Sequence, residues 1–78
     1  MNTAARIVAI WRELFGRDDV QAGDEFIALG GHSMLAIRVA ARIKQDLGVD
    51  VRVRDVLRHS TPERLADVID RNHAEGGR

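Results

Sequence analysis

A chain of 78 residues with 12 basic and 12 acidic side chains, 45% hydrophobic residues and only three aromatics has room for one small domain, residues 1–78. The absence of cysteine excludes disulfide staples, thiolate zinc sites and thiol nucleophiles together, and packing in a chain this short supplies roughly 3–5 kcal/mol. A net charge of zero argues against a nucleic-acid binder, no apolar run approaches the ~20 residues of a membrane span, and Arg6, Arg12 and Glu13 interrupt the N-terminal apolar stretch as a signal peptide would not.

The first segment, Thr3 to Phe15, sets Ile7, Val8, Ile10, Trp11, Leu14 and Phe15 at three- and four-residue steps between charged residues, which predicts an amphipathic helix closed by Gly16. Arg17 to Glu25 holds four acids and a glycine, the chemistry of a loop. Phe26, Ile27 and Leu29 at its far end are expected to plug the open end of a helical core. From Ser33 a second helix is predicted, with Ala36, Val39, Ala40, Ile43 and Leu47 as its buried stripe and Gly48 as its left-handed stop.

Val49 to Val53 alternates as a strand does, but one isolated strand cannot satisfy its backbone, so Val53 to Arg58 is read as a short helix or turn. Thr61 can cap a last helix, Pro62 suits its first position, and Leu65, Val68 and Ile69 supply its buried face. The helical signal fades by Asn72, and residues 73–78 read as a disordered tail or a stub of linker. The fold class is therefore all-α: three main helices plus one short helix, bundled around a long first loop.

Enzyme chemistry is not expected. Ser33 follows His32 directly, and adjacent side chains diverge too strongly to set nucleophile and base within the roughly 2.6–3.2 Å that activation needs. His32, His59 and His73 lie in separate elements without the i, i+4 spacing of a helical metal pair, so no metal is expected. Arg38, Arg42 and Lys44 fit a solvated face offset by Asp46, Asp50 and Asp55.

One stretch resists so plain an account: Gly30, Gly31, His32 and Ser33 run straight into the strongest helix. As structure alone, Ser33 is a cap and the glycines a turn. That reading leaves Met34, Ile37 and Ala41 unexplained, because they form a second apolar line on the solvent side, starting one residue after the serine. Such a line is expected of a docking face beside a modified hydroxyl. A helix N-terminus offers unpaired N–H groups and partial positive charge, so a phosphodiester on Ser33 would be stabilised there. Gly30 and Gly31 permit close approach by a modifying enzyme, and His32 is either a hydrogen-bonding neighbour or a plain surface histidine.

The run FIALGGHSMLAIRVAARI, Phe26 to Ile43, resembles the phosphopantetheine attachment motif of peptidyl carrier domains, members of the acyl carrier protein-like family found in nonribosomal peptide synthetases. The likeness extends from the first helix to Ile69. It implies a four-helix bundle in which Ser33 carries a 4'-phosphopantetheine arm donated by coenzyme A, Gly30, Gly31 and His32 form the flanking loop, and Met34, Ile37, Arg38 and Ala41 contact partners. The implied partners are a phosphopantetheinyl transferase, an adenylation enzyme, and condensation, thioesterase or tailoring enzymes, visited by a cytoplasmic monomer that binds neither nucleic acid nor membrane. His32-Ser33-Met34 with Arg38, Arg42 and Lys44 departs from the Asp-Ser-Leu motif and acidic second helix of fatty-acid carriers, which favours the peptidyl branch. An aryl or acyl carrier, or an unmodified helical interaction module, is the alternative. Met1 close before the first helix is expected equally of a free-standing carrier and of an excised domain. Charge divides unevenly: Met1 to His32 carries −2, Ser33 to Ser60 +3 and Thr61 to Arg78 −1.

Overall fold

The structure, a computed structural model, describes residues 2–76, with side chains described through residue 72. Four helices follow in order: α1 Thr3–Phe15, α2 Ser33–Leu47, α3 Val53–Arg58 and α4 Pro62–Gly76. The α1 helix begins where Asn2 Oδ1 accepts the Ala5 N–H at 2.8 Å. It ends at Gly16, and α2 ends at Gly48; both glycines sit in the left-handed region (φ 66° and 70°) that closes a helix without a Cβ clash. Thr61 caps α4 by accepting the Arg64 N–H at 3.1 Å, with Pro62 in the first helical position. The α4 helix runs on to Gly76, four residues beyond the point where its sequence signal fades. Residues 77 and 78 lie outside the described residues.

The helix α1 packs against both α2 and α4, and α3 packs against α2. The core joins Ile7, Ile10 and Trp11 of α1 to Ala36, Val39 and Ile43 of α2, with Val56, Leu65 and Ile69 closing it from α3 and α4. Polar contacts fasten the same interfaces. Arg6 donates to the Asp46 carbonyl at 2.8 Å, and the Thr3 hydroxyl donates to Asp70 at 2.7 Å.

The alternation of Val49, Val51 and Val53 is real but serves no sheet. Val49 and Val51 pack against the helical core from the link before α3, and Val53 does so from the first turn of α3, while Asp50 and Arg52 face water.

The long first loop is held by three anchors. Arg12 donates twice to the Val20 carbonyl, at 2.8 and 3.1 Å, and Val20 is fully buried. The Glu63 N–H reaches the Ala22 carbonyl at 3.1 Å, and the Phe26 N–H reaches the Ser60 carbonyl at 2.7 Å. Phe26 then enters the core against Trp11 and Phe15, with ring centroids 5.2 and 5.4 Å away in edge-on packing. Ile27 departs from the expected plug, since it stands 63% exposed. The chain makes a helical turn here, with the Leu29 N–H on the Glu25 carbonyl. Phe26 and Leu29, three residues apart, therefore share the inner side of that turn, and Ile27 points away from them.

Candidate functional site

The α2 N-terminus does not use Ser33 as its cap. His32 takes that position with an extended backbone (φ −148°), and its Nδ1 accepts the Leu35 N–H at 3.4 Å while its carbonyl accepts the Ala36 N–H at 2.9 Å. Ser33 is therefore the first helical residue, exposed and relieved of capping duty. The N–H groups of Ser33 and Met34 have no intrahelical acceptor by the geometry of any helix start. No acidic side chain occupies this first turn, so the positive end of the helix is left without local neutralisation. An anionic phosphodiester joined at Ser33 fits these donors and this charge.

The two glycines before it do different work. Gly30 adopts φ 93°, a turn that L side chains rarely make. Gly31 has an ordinary φ but no room: a Cβ there would stand 2.5 Å from the Phe26 ring and 2.6 Å from the Phe26 carbonyl oxygen. Its N–H also donates to that carbonyl at 2.9 Å. Phe26 thus fills the space on the Cβ side of Gly31.

The solvent-side line is placed as the sequence predicts, with Met34 70% and Ile37 53% exposed and Ala41 exposed beyond them, while Ala36, Val39 and Ile43 are buried. Leu35, not assigned to the core stripe by periodicity, is also buried. Gly30, His32, Met34, Ile37 and Arg38 meet Leu14, Phe15 and Leu29 around a groove of about 590 Å3. Gly31 and Ala41 lie outside it. Sequence reasoning missed Leu14 and Phe15 as site residues, because helical periodicity marks them only as apolar and their nearness to α2 is a tertiary fact.

Most of the basic charge on α2 is engaged. Arg42 bridges Glu13 at 2.6 Å and Asp46 at 3.3 Å, and the hydrogen bond to Glu13 holds its guanidinium above the ordinary pKa. Lys44 pairs with Asp50 at 3.3 Å. Among the described residues Arg38 makes no ion pair, so its charge remains available at the groove. No three metal-ligating side chains converge among the described residues, and no described helix is long and apolar enough to cross a membrane.

The family described as a phosphopantetheine attachment site matches residues 5–69. Surfactin synthase subunit 3 of Bacillus subtilis (strain 168) is 48% identical over 48 residues, a stretch covering 62% of this chain and 4% of that protein. A type-II acyl-carrier-protein from Streptomyces verticillus involved in bleomycin biosynthesis superposes with a TM-score of 0.84 at 31% identity, covering 90% of this chain and 84% of that one. A structure described as a nonribosomal PCP domain gives a TM-score of 0.79 at 35% identity, with 87% of each chain covered. The chain spans 4% or less of the length of the curated relatives it matches here. With the family match running from within α1 to Ile69 of α4 over an all-helical fold shared with solved carriers, the chain belongs to the phosphopantetheine attachment-site family, as a peptidyl carrier domain of the kind to which 4'-phosphopantetheine is covalently attached.

Proposed function

We propose that Ser33 is the attachment residue, that Gly30, Gly31 and His32 shape the loop a transferase approaches, and that Met34, Ile37, Arg38 and Ala41 contact partner enzymes. The observation that carries this reading is the exposed Ser33 residue at the positive end of α2, whose first turn holds no acidic side chain and where His32 has taken over capping. When bound, the prosthetic group supplies the thiol this cysteine-free chain lacks, on which an aminoacyl or peptidyl group is held as a thioester.

The protein's own residues do three things. Ser33 Oγ bonds to the phosphorus next to the pantetheine of coenzyme A, releasing adenosine 3',5'-bisphosphate and giving its proton to the transferase's base. The free N–H groups of the first α2 turn would hold the anionic phosphodiester of the attached group. Met34 and Ile37 offer apolar contact to each partner: the transferase, an adenylation enzyme, then condensation, thioesterase or tailoring enzymes. Met34 adds an adaptable side chain suited to several such surfaces. Residues 1–78 act as one carrier unit, a cytoplasmic monomer that performs no chemistry unaided.

The test is incubation with coenzyme A and a broad-specificity phosphopantetheinyl transferase, read by intact mass. The expected result is one phosphopantetheine addition to the native chain and none to Ser33→Ala. Absence of addition to the native chain, or addition that persists in Ser33→Ala, overturns the assignment.

A further inference from the structure

Two neighbouring residues at the start of α2 are able to cap it, and the less favoured one does. Serine is among the strongest N-cap residues and histidine is not. Yet His32 holds the cap, with Nδ1 accepting the Leu35 N–H at 3.4 Å and its carbonyl accepting the Ala36 N–H at 2.9 Å. The reason lies upstream. The Gly31 N–H donates to the Phe26 carbonyl at 2.9 Å, and the Phe26 ring stands against the Cβ side of position 31. Position 31 is thus pinned to the loop, and the next residue, His32, enters the cap with an extended backbone (φ −148°, ψ 175°).

A second register lies one residue away. If the helix started one residue later, Ser33 would turn extended and become the cap, its Oγ would accept the Leu35 or Ala36 N–H, and the Ala36 bond to the His32 carbonyl would be lost. The hydroxyl would then be turned into the first turn of α2 instead of outward. We propose that His32 is a positioning residue for the attachment reaction: by occupying the cap it holds Ser33 in the first helical position with its Oγ uncommitted. The inference rests on the reading of Ser33 as attachment residue. Among the described residues Ser33 Oγ makes no hydrogen bond, as this role requires. At 3.4 Å the His32 cap is long, so the register is held by a narrow margin and responds to the side chain at position 32. Accepting through Nδ1 also leaves the ring proton on Nε2.

The experiment uses the isotope-labelled full chain as native, His32→Asn and His32→Ala, with circular dichroism confirming that each is helical. The Cα and Cβ chemical shifts of Ser33 report its register without any transferase. They should be helical in the native chain and in His32→Asn, whose side-chain oxygen also caps, and extended in His32→Ala. Loading from coenzyme A by a broad-specificity phosphopantetheinyl transferase should follow the register, because only the competent fraction reacts. Thus kcat/KM should fall about tenfold in His32→Ala, with about nine-tenths of Ser33 in the cap register, and return to within about twofold of native in His32→Asn. In mildly alkaline buffer the nitrogen shifts of native His32 should place its proton on Nε2, a measurement that stands even if His32→Ala fails to fold. A proton on Nδ1 overturns the cap, and helical Ser33 shifts in His32→Ala overturn the register. A rate in His32→Asn as low as in His32→Ala, with native Ser33 shifts, assigns His32 to direct transferase contact and overturns the positioning role. Shifts that respond as expected in a chain that does not load, or that still loads as Ser33→Ala, overturn the reading of Ser33 and the positioning role with it, and leave the register alone standing.

Discussion

The Phe26 ring occupies the space that a side chain at position 31 would need, so Gly31 and Phe26 together set how the loop meets α2. Gly31→Ala should cost roughly 1–3 kcal/mol, since both the ring and the Phe26 carbonyl must shift. Gly30→Ala should cost about 1–2 kcal/mol for a different reason, its φ of 93° in open space. Urea unfolding gives both costs. Trp11 fluorescence separates them, because only the change at Gly31 pushes Phe26 against its indole neighbour; an unchanged native emission in Gly31→Ala would refute the relationship.

Two apolar residues on α2, two positions apart, should respond oppositely to the same substitution. Ile37→Asp should fold, with a loss of about 1 kcal/mol or less, because its side chain is half in water. Val39→Asp buries an unpaired carboxylate in a core worth roughly 3–5 kcal/mol and should leave the chain unfolded at neutral pH. Circular dichroism distinguishes the pair, and Ile37→Asp should also slow acyl transfer to a partner enzyme.

Arg12 reaches across eight residues to hold the Val20 carbonyl by two hydrogen bonds. Arg12→Ala should cost about 1.5–3 kcal/mol, the value of hydrogen bonds from a charged donor. Hydrogen exchange should quicken between Arg17 and Glu25 before it quickens in the α2 core. Uniform acceleration across all four helices would show that the clamp is not local.

The Arg17 guanidinium donates two hydrogen bonds to Asp19, at 2.9 and 2.8 Å, and thereby holds its carboxyl below the ordinary aspartate pKa. A carboxyl with a lowered folded-state pKa contributes stability above its unfolded value, and that contribution disappears as pH falls through the folded value. Asp19→Asn should flatten this acid-side slice of the stability profile and leave the alkaline side unchanged. The pair is exposed, so added salt should shrink the difference.

The helices were legible in the sequence because each carries local punctuation: Gly16 and Gly48 as left-handed stops, and Thr61-Pro62 as a start. The two faces of α2 were legible too, from the phase between Val39 and Ile37. Relationships across the fold were not. Val20 sits alone among acids, with no periodic companion to mark it as buried, and it is defined by the distant guanidinium of Arg12. Ser33 has the chemistry of a cap, yet His32 caps instead, because helix phase rather than residue preference decides which residue precedes the first turn. Ile27 is as apolar as Leu29, and only the turn through Glu25 and Leu29 decides which of them faces inward.

The accessible surface of the whole molecule is 4901 Å2. A partner of ordinary footprint, about 800 Å2, would cover roughly a sixth of it. The exposed apolar line and Ser33 share one end of α2, so two such footprints centred there would overlap. Under the proposed assignment of that line to partner contact, visits would be serial, and each enzyme would have to depart before another could land. The order of a synthesis would then be written in residence times, with tight binding a fault because it would stall the queue.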